Sequence, residues 1–241
     1  MKKVLLTGAA GGIGTEFFKC ASGRYEIRCF DKVTVPGAGD MVTADLADLP
    51  ALVKAAKGCE AMVHLGGRST DGDFVRELLP ANVVGTYNAF EAARQAGVRR
   101  FVFASTVQAE GYPEDAMVTP DMAVRPWNMY ATTKVFGESL GRTYARRFGL
   151  SVIVLRLGRV AVPREEEALR KVDRGELRWV LTVRDCCEML VHAVEADTGE
   201  FAVVHALSRN GAAIRDLELT RKVLGYFPED DAMELFGVHG R

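Results

Sequence analysis

Long apolar runs are missing from this sequence. None approaches the roughly 18 residues needed to cross a bilayer. The opening MKKVLLTGAAGG has only Val4, Leu5 and Leu6 before Thr7, short of the roughly 7 to 15 apolar residues of a secretory leader. An excess of one charge is also missing. Thirty-one basic residues meet 32 acidic ones, for a net charge of -1. That excludes a nucleic-acid or polyanion binder, which concentrates positive charge; neither nucleic acid nor membrane is an expected partner. Cysteine is scarce. Cys20, Cys29, Cys59, Cys186 and Cys187 form an odd set without a CxxC spacing, which reads as reduced thiols in a cytoplasmic protein. No metal is expected. Internal repeats, low-complexity tracts and long linkers are absent as well.

What remains is an alternation of short apolar runs with longer amphipathic stretches. Strands are expected at 3–8, 25–31, 40–45, 61–66, 100–106, 151–158 and 201–206. Helices are expected from the glycine run to Gly23, over 48–57, 74–97, 128–148 and 184–196, and in short stretches near 214–225 and 229–236. Strands that alternate with helices imply parallel pairing through right-handed crossovers. Almost wholly apolar strands imply a sheet covered on both faces. The expected class is therefore α/β, a doubly wound and mostly parallel sheet of Rossmann type. Residues 1–160 would form its core and 161–241 a small substrate-side cap integral to the same domain. The charged stretch 163–179 reads as a solvated helix or lid.

Two features point to a dinucleotide. TGAAGGIG (7–14) follows the first strand and opens the first helix. Its glycines, Gly8, Gly11, Gly12 and Gly14, permit a tight turn and bring backbone amides and a helix N-terminus toward a pyrophosphate. Ile13 lies in the same turn. The second strand ends in Asp31, a carboxylate suited to the two ribose hydroxyls of NAD and repelled by the 2′-phosphate of NADP. The adjacent Lys32 would tolerate a phosphate; the balance favours NAD. Asp45 and Leu46, after the third strand, are candidates for the adenine end, with Asp45 equally readable as a helix cap. Leu65, Gly66 and Gly67, after the fourth strand, offer small residues beside a cofactor ribose. His64 reads as a satisfied core histidine.

The fifth strand ends in AST (104–106), which sets Ser105 and Thr106 where ligands lie in such sheets. Tyr130 and Lys134, in PWNMYATTK (126–134), share a helix face. An ammonium near a phenol favours the phenolate and lowers its pKa, and a nearby hydroxyl can hold the substrate oxygen while the phenol exchanges a proton.

Together the glycine turn, Asp31, NVVGT (82–86), AST and the YxxxK pair resemble the extended short-chain dehydrogenase/reductase (NAD-dependent epimerase/dehydratase) family over residues 1 to about 160. The resemblance implies that Tyr130 is the general acid/base, that Lys134 tunes it and holds the nicotinamide ribose, and that Thr106, or Ser105 one register away, orients the substrate. It also implies that Asn82 contacts the cofactor or supports the site, with a plain helix hydrogen bond as the alternative. Within the family, GCEAMVHLGG (58–67), ANVVGTYNAFEAAR (81–94) and GYFPEDDAMELF (225–236) are most similar to uronate dehydrogenases, which oxidise a sugar acid at its anomeric carbon to a lactone. That likeness implies a substrate-side role for Ser69 and a carboxylate-clamping role for Arg174, otherwise a solvated charge. It fails at Val107 and Gln108, where those enzymes carry Asn-His, and at Arg159, where they carry serine. The resemblance thus implies an NAD-dependent dehydrogenase of a small sugar, sugar acid or polyol. A nucleotide-sugar epimerase or dehydratase is one alternative, and a catalytically silent NAD-sensing protein is another. A homodimer through the helices at 74–97 and 128–148 is expected.

Overall fold

The computed structural model describes residues 1–111, 117–211 and 214–237. Seven parallel strands form the central sheet: β1 (Lys3–Thr7), β2 (Glu26–Asp31), β3 (Met41–Thr43), β4 (Ala61–His64), β5 (Arg100–Thr106), β6 (Ser151–Leu157) and, taken out of chain order, the late strand Phe201–Ala206. Their order is β3-β2-β1-β4-β5-β6 followed by Phe201–Ala206. The order reverses between β1 and β4, and the crevice outside the carboxyl ends at such a reversal is where α/β sheets bind ligands.

Period-two geometry sends successive side chains of each strand to opposite faces. In β1, Val4 and Leu6 enter one apolar layer and Leu5 the other. The first layer is covered by α1 (Gly12–Ala21) and by a later helix, Val183–Glu195, through Phe17, Met189 and Leu190. The second is covered by α2 (Leu49–Ala56), α3 (Gly85–Ala96) and α4 (Met129–Phe148) through Leu52, Phe90 and Tyr144. Strand Phe201–Ala206 and helix Val183–Glu195 lie beyond residue 160 yet stand within these main layers.

The structure departs from the sequence reading in four places. The expected helix over 74–97 begins as a π-helical segment, Phe74–Val84, and becomes α3 only at Gly85. Pro80 explains the change, since it lacks an N–H and its ring crowds the carbonyl four residues earlier; the Gly85 N–H donates instead to Pro80 O, five residues back. The 163–179 stretch is a 3-10 turn (Pro163–Glu165) and two single-turn helices, α5 (Glu166–Leu169) and α6 (Arg174–Leu177). Its Leu169 and Leu177 are buried in a satellite core with Val180 and Phe236. An unforeseen pair of three-residue parallel strands, β7 (Arg159–Ala161) and β8 (Val180–Thr182), brackets that stretch. With these defined, helix Val183–Glu195 is α7 and strand Phe201–Ala206 is β9. Finally, the helix expected from 214 starts only at α8 (Glu218–Leu224), because Arg215 is held in a bridge to Val118. The last helix among the described residues is α9 (Ala232–Phe236), capped by Asp231.

Helix α4 lies close on β5 because Gly137 faces the Phe103 ring. A Cβ at Gly137 would fall inside that ring's van der Waals envelope. Gly137→Ala should therefore lose about 1–3 kcal/mol in urea unfolding through overpacking; an unchanged midpoint would show that α4 can back away freely.

Candidate functional site

The turn after β1 is shaped by contact between two backbones. Gly8 has φ +71°, and a Cβ there would stand 2.6 Å from the Gly66 nitrogen. Gly8 N donates to Phe30 O at 3.0 Å and Gly11 N to Gly8 O at 3.0 Å. Gly11 precedes α1 in extended conformation. Asp31, at the end of β2, accepts from Ala10 N at 3.0 Å and from Val33 N at 3.2 Å. A cavity of about 180 Å³ adjoins this turn and is lined by Gly8, Gly11, Asp31, Lys32, Asp45, Leu46, Leu65, Gly66 and Gly67. Asp45 does not cap α2. It accepts from Ala47 N, while Asp48 is the cap and accepts from Ala51 N.

A larger cavity, about 550 Å³, shares Gly8, Gly11, Leu65 and Gly67 with the first and continues past Gly12, Ile13 and Gly14. It is lined further on by Ser69, Ser105, Thr106, Val107, Gln108, Tyr130, Lys134 and Arg159. The two cavities thus join the strand-end carboxylate to the hydroxyl-phenol-ammonium group past a backbone cradle in which a Cβ at Gly8 or Gly14 would clash with neighbouring backbone. These residues fit a dinucleotide laid across the switch point, with its adenosine end at Asp31.

Local sequence explains the chemical end. Asn128 caps α4 by accepting from Ala131 N at 2.7 Å, and its amide donates to Gln108 Oε1 at 2.9 Å. Tyr130 N donates to Asp71 Oδ1 at 3.1 Å. These bonds seat Tyr130 in the first turn of α4, with Lys134 one turn on. The Thr106 hydroxyl lies near enough to the Tyr130 phenol to oppose its upward shift, whereas the Ser105 hydroxyl donates to Glu138 Oε1 at 2.5 Å. Thr106, not Ser105, faces the phenol.

Burial pushes the Tyr130 phenol up to about 12, against the opposing effect of Thr106; the expected lowering by Lys134 is not the outcome here. The Lys134 ammonium lies 5.7 Å from the Tyr130 ring centroid and donates to Ala104 O at 2.9 Å. Burial brings Lys134 itself down to about 8. His64 bonds Thr7 Oγ1 at 2.7 Å, and burial, then Lys134, hold it down to about 3. It is a neutral core group.

Two expected residues stand apart. Asn82 lines neither cavity. Its amide donates to Arg68 O and Thr133 Oγ1 and its oxygen accepts from Arg68 N at 2.7 Å, so it ties the loop after β4 to α4. Arg174 is exposed at the start of α6 and also lines neither cavity. Arg159 lines the larger one with its guanidinium paired to Glu165 at 2.9 Å. Sequence reasoning missed Trp179 and Arg215, which line the same cavity. Arg215 reaches it through Glu110, 105 positions away, and no local pattern announces that contact.

The Lys134 shift has a checkable consequence. Its folded value lies below the ordinary 10.5, so the unfolded chain binds more protons between about pH 8 and 10.5, and stability rises with pH across that window. Without cofactor, the stability of the protein relative to Lys134→Met should improve by up to roughly 3 kcal/mol from pH 7 to 10.5 in paired urea titrations. Parallel curves would mean that the ammonium is not desolvated.

A model of the NAD-dependent epimerase/dehydratase family matches residues 4–181. NAD-dependent glucose-6-phosphate dehydrogenase of Haloferax volcanii is 31% identical over 96% of this chain and 94% of its own. Uronate dehydrogenase of Agrobacterium fabrum is 39% identical over 66% of this chain and 61% of its own. Among solved structures, a uronate dehydrogenase variant from Agrobacterium tumefaciens complexed with NAD superimposes with a TM-score of 0.88 at 32% identity, covering 98% of this chain and 87% of that one. With the glycine turn, Asp31, and the Thr106, Tyr130 and Lys134 group on one crevice, the chain belongs to the NAD-dependent epimerase/dehydratase family.

Proposed function

We propose that this protein is an NAD-dependent dehydrogenase that oxidises a small sugar or sugar acid at its anomeric carbon to the lactone. The observation that carries the reading is the convergence of Thr106, Tyr130 and Lys134 in one cavity with the glycine turn. The similarity to sugar dehydrogenases supports it. NAD, when bound, supplies the two-electron acceptor for the hydride leaving the anomeric carbon.

The chain's own residues manage the proton. Thr106 holds the substrate oxygen beside the phenol, and Tyr130 as phenolate takes the hydroxyl proton while the carbonyl forms. Burial alone keeps Tyr130 protonated, so the base form depends on the Thr106 hydroxyl and on Lys134 remaining cationic, as it does below its value of about 8. Shielding from water strengthens each of these charge interactions at the buried Tyr130 and Lys134 side chains. The epimerase reading has weaker support, since the relatives named above are dehydrogenases.

Two further readings go with this function. No helix among the described residues is long and apolar enough to cross a membrane. All five cysteines are free thiols, in keeping with a reducing, cytoplasmic setting. The π-helical segment, α3 and α4 expose Val75, Val84, Tyr87, Phe136 and Phe148, an apolar surface suited to a homodimer.

Tyr130→Phe should keep NAD binding in calorimetry and lose at least about 100-fold in kcat, the scale of a lost acid/base; full turnover in that variant would sink the mechanism. In light scattering, the protein should run as a dimer and Phe136→Glu as a monomer. A wild-type monomer at micromolar concentration would remove the dimer reading.

A further inference from the structure

The cavity wall beside Val107 and Trp179 contains a cation unlike the others. The Arg215 side chain is only 2% exposed. Its guanidinium lies 4.2 Å from a Trp179 ring centroid, which holds the plane in place. Nε donates to Glu110 Oε2 at 2.8 Å and Nη2 to Val107 O at 3.3 Å. Nη1 is buried and has no hydrogen-bond partner among the described residues.

The other arginines on this cavity are differently placed. Arg68 pairs with Glu77, and Arg159 and Arg164 both lie against Glu165, with side chains 42–73% exposed. Glu110 does not cancel Arg215 by itself, because its carboxylate also serves Arg156 and His205. A buried charged donor without an acceptor is costly and rare in a folded protein. Here the donor belongs to a residue that lines the cavity, where an acceptor can arrive as part of a ligand. Planar guanidinium N–H groups suit carboxylate and phosphate oxygens.

We propose that Arg215 determines substrate specificity by donating Nη1–H to an anionic oxygen, of a carboxylate or a phosphate, carried by the sugar away from its reacting carbon. This rests on the sugar-oxidation reading and names the class of sugar. It also assigns to Arg215 the clamping expected of Arg174, which lies off the cavity. The role is recognition, with no part in the proton or hydride step.

The experiment compares wild type, R215Q and R215K on D-glucuronate, D-galacturonate and D-glucose 6-phosphate against D-glucose, D-galactose and L-arabinose, following NADH. Wild type should prefer the acidic sugars, and the preferred group tells carboxylate from phosphate. R215Q should lose about 10- to 100-fold in kcat/KM on acidic sugars, mainly through KM, with little change on neutral ones. Wild-type preference for neutral sugars, or equal losses on both classes, overturns the proposal. R215K keeps the charge opposite Glu110. If R215Q does not fold by circular dichroism, R215K carries the test: a selective loss of about fivefold or more on acidic sugars supports the proposal and no selective loss overturns it.

Failure of the dehydrogenase reading has a separate signature, namely no NADH from any sugar with wild type. Arg215 is then tested by tryptophan fluorescence with D-glucuronate, D-glucose 6-phosphate and inorganic phosphate. Saturable quenching that weakens in the folded Arg215 variant supports the anion site; identical titrations, or none, overturn it.

Discussion

Arg156, near the carboxyl end of β6, is a buried cation held from both sides. Its Nε and Nη2 bind Glu138 of α4 at 3.0 and 2.8 Å, and its Nη1 binds Glu110, just after β5, at 2.7 Å. Glu138 also accepts from Ser105, and Glu110 from Arg215. One chain of charges therefore joins β5, β6, α4 and the segment before α8. Burial works against the Glu110 carboxylate, yet His205 and Arg156 hold it down to about 2. Taking one partner away would strand a buried charge, at a cost of roughly 3–5 kcal/mol. The distance between the end of β5 and the first turn of α4, which sets Thr106 against Tyr130, rests on the part of this chain in which Ser105 and Arg156 both hold Glu138; Arg215 does not touch α4.

The cofactor side is built on another principle. Close backbone approach between Gly8 and Gly66 shapes the cradle, and Asn82 pins the following loop to α4. Side chains there exclude and position. At the chemical end, the burial that keeps water out also raises the Tyr130 phenol. A working base in such a place needs a nearby cation and a hydroxyl donor, which is the composition found around it.

Much of this was legible in the residues. Apolar strands alternating with amphipathic helices specify a covered parallel sheet, since each element must bury its apolar face against another layer. The glycine turn, Asp31 and the YxxxK spacing carry their geometry locally, within a turn or a strand end. Local rules failed where a single residue or a distant partner decided: Pro80 forced a wider winding, Leu169 and Leu177 were drawn into a small core and broke up the 163–179 stretch, and a bridge to Val118 delayed α8.

The sequence by itself determined the fold class, the glycine turn beside Asp31 and the shared helix face of Tyr130 and Lys134, because backbone freedom, strand periodicity and i, i+4 spacing act over a few residues. Only the tertiary structure decided that Thr106 rather than Ser105 faces the phenol, that Arg174 lies off the cavity, and that Arg215 stands within it. Those outcomes depend on which buried acceptor satisfies which donor. Glu138 takes Ser105 and Glu110 takes Arg215 across 33 and 105 positions, and such pairings exist only once the layers have packed.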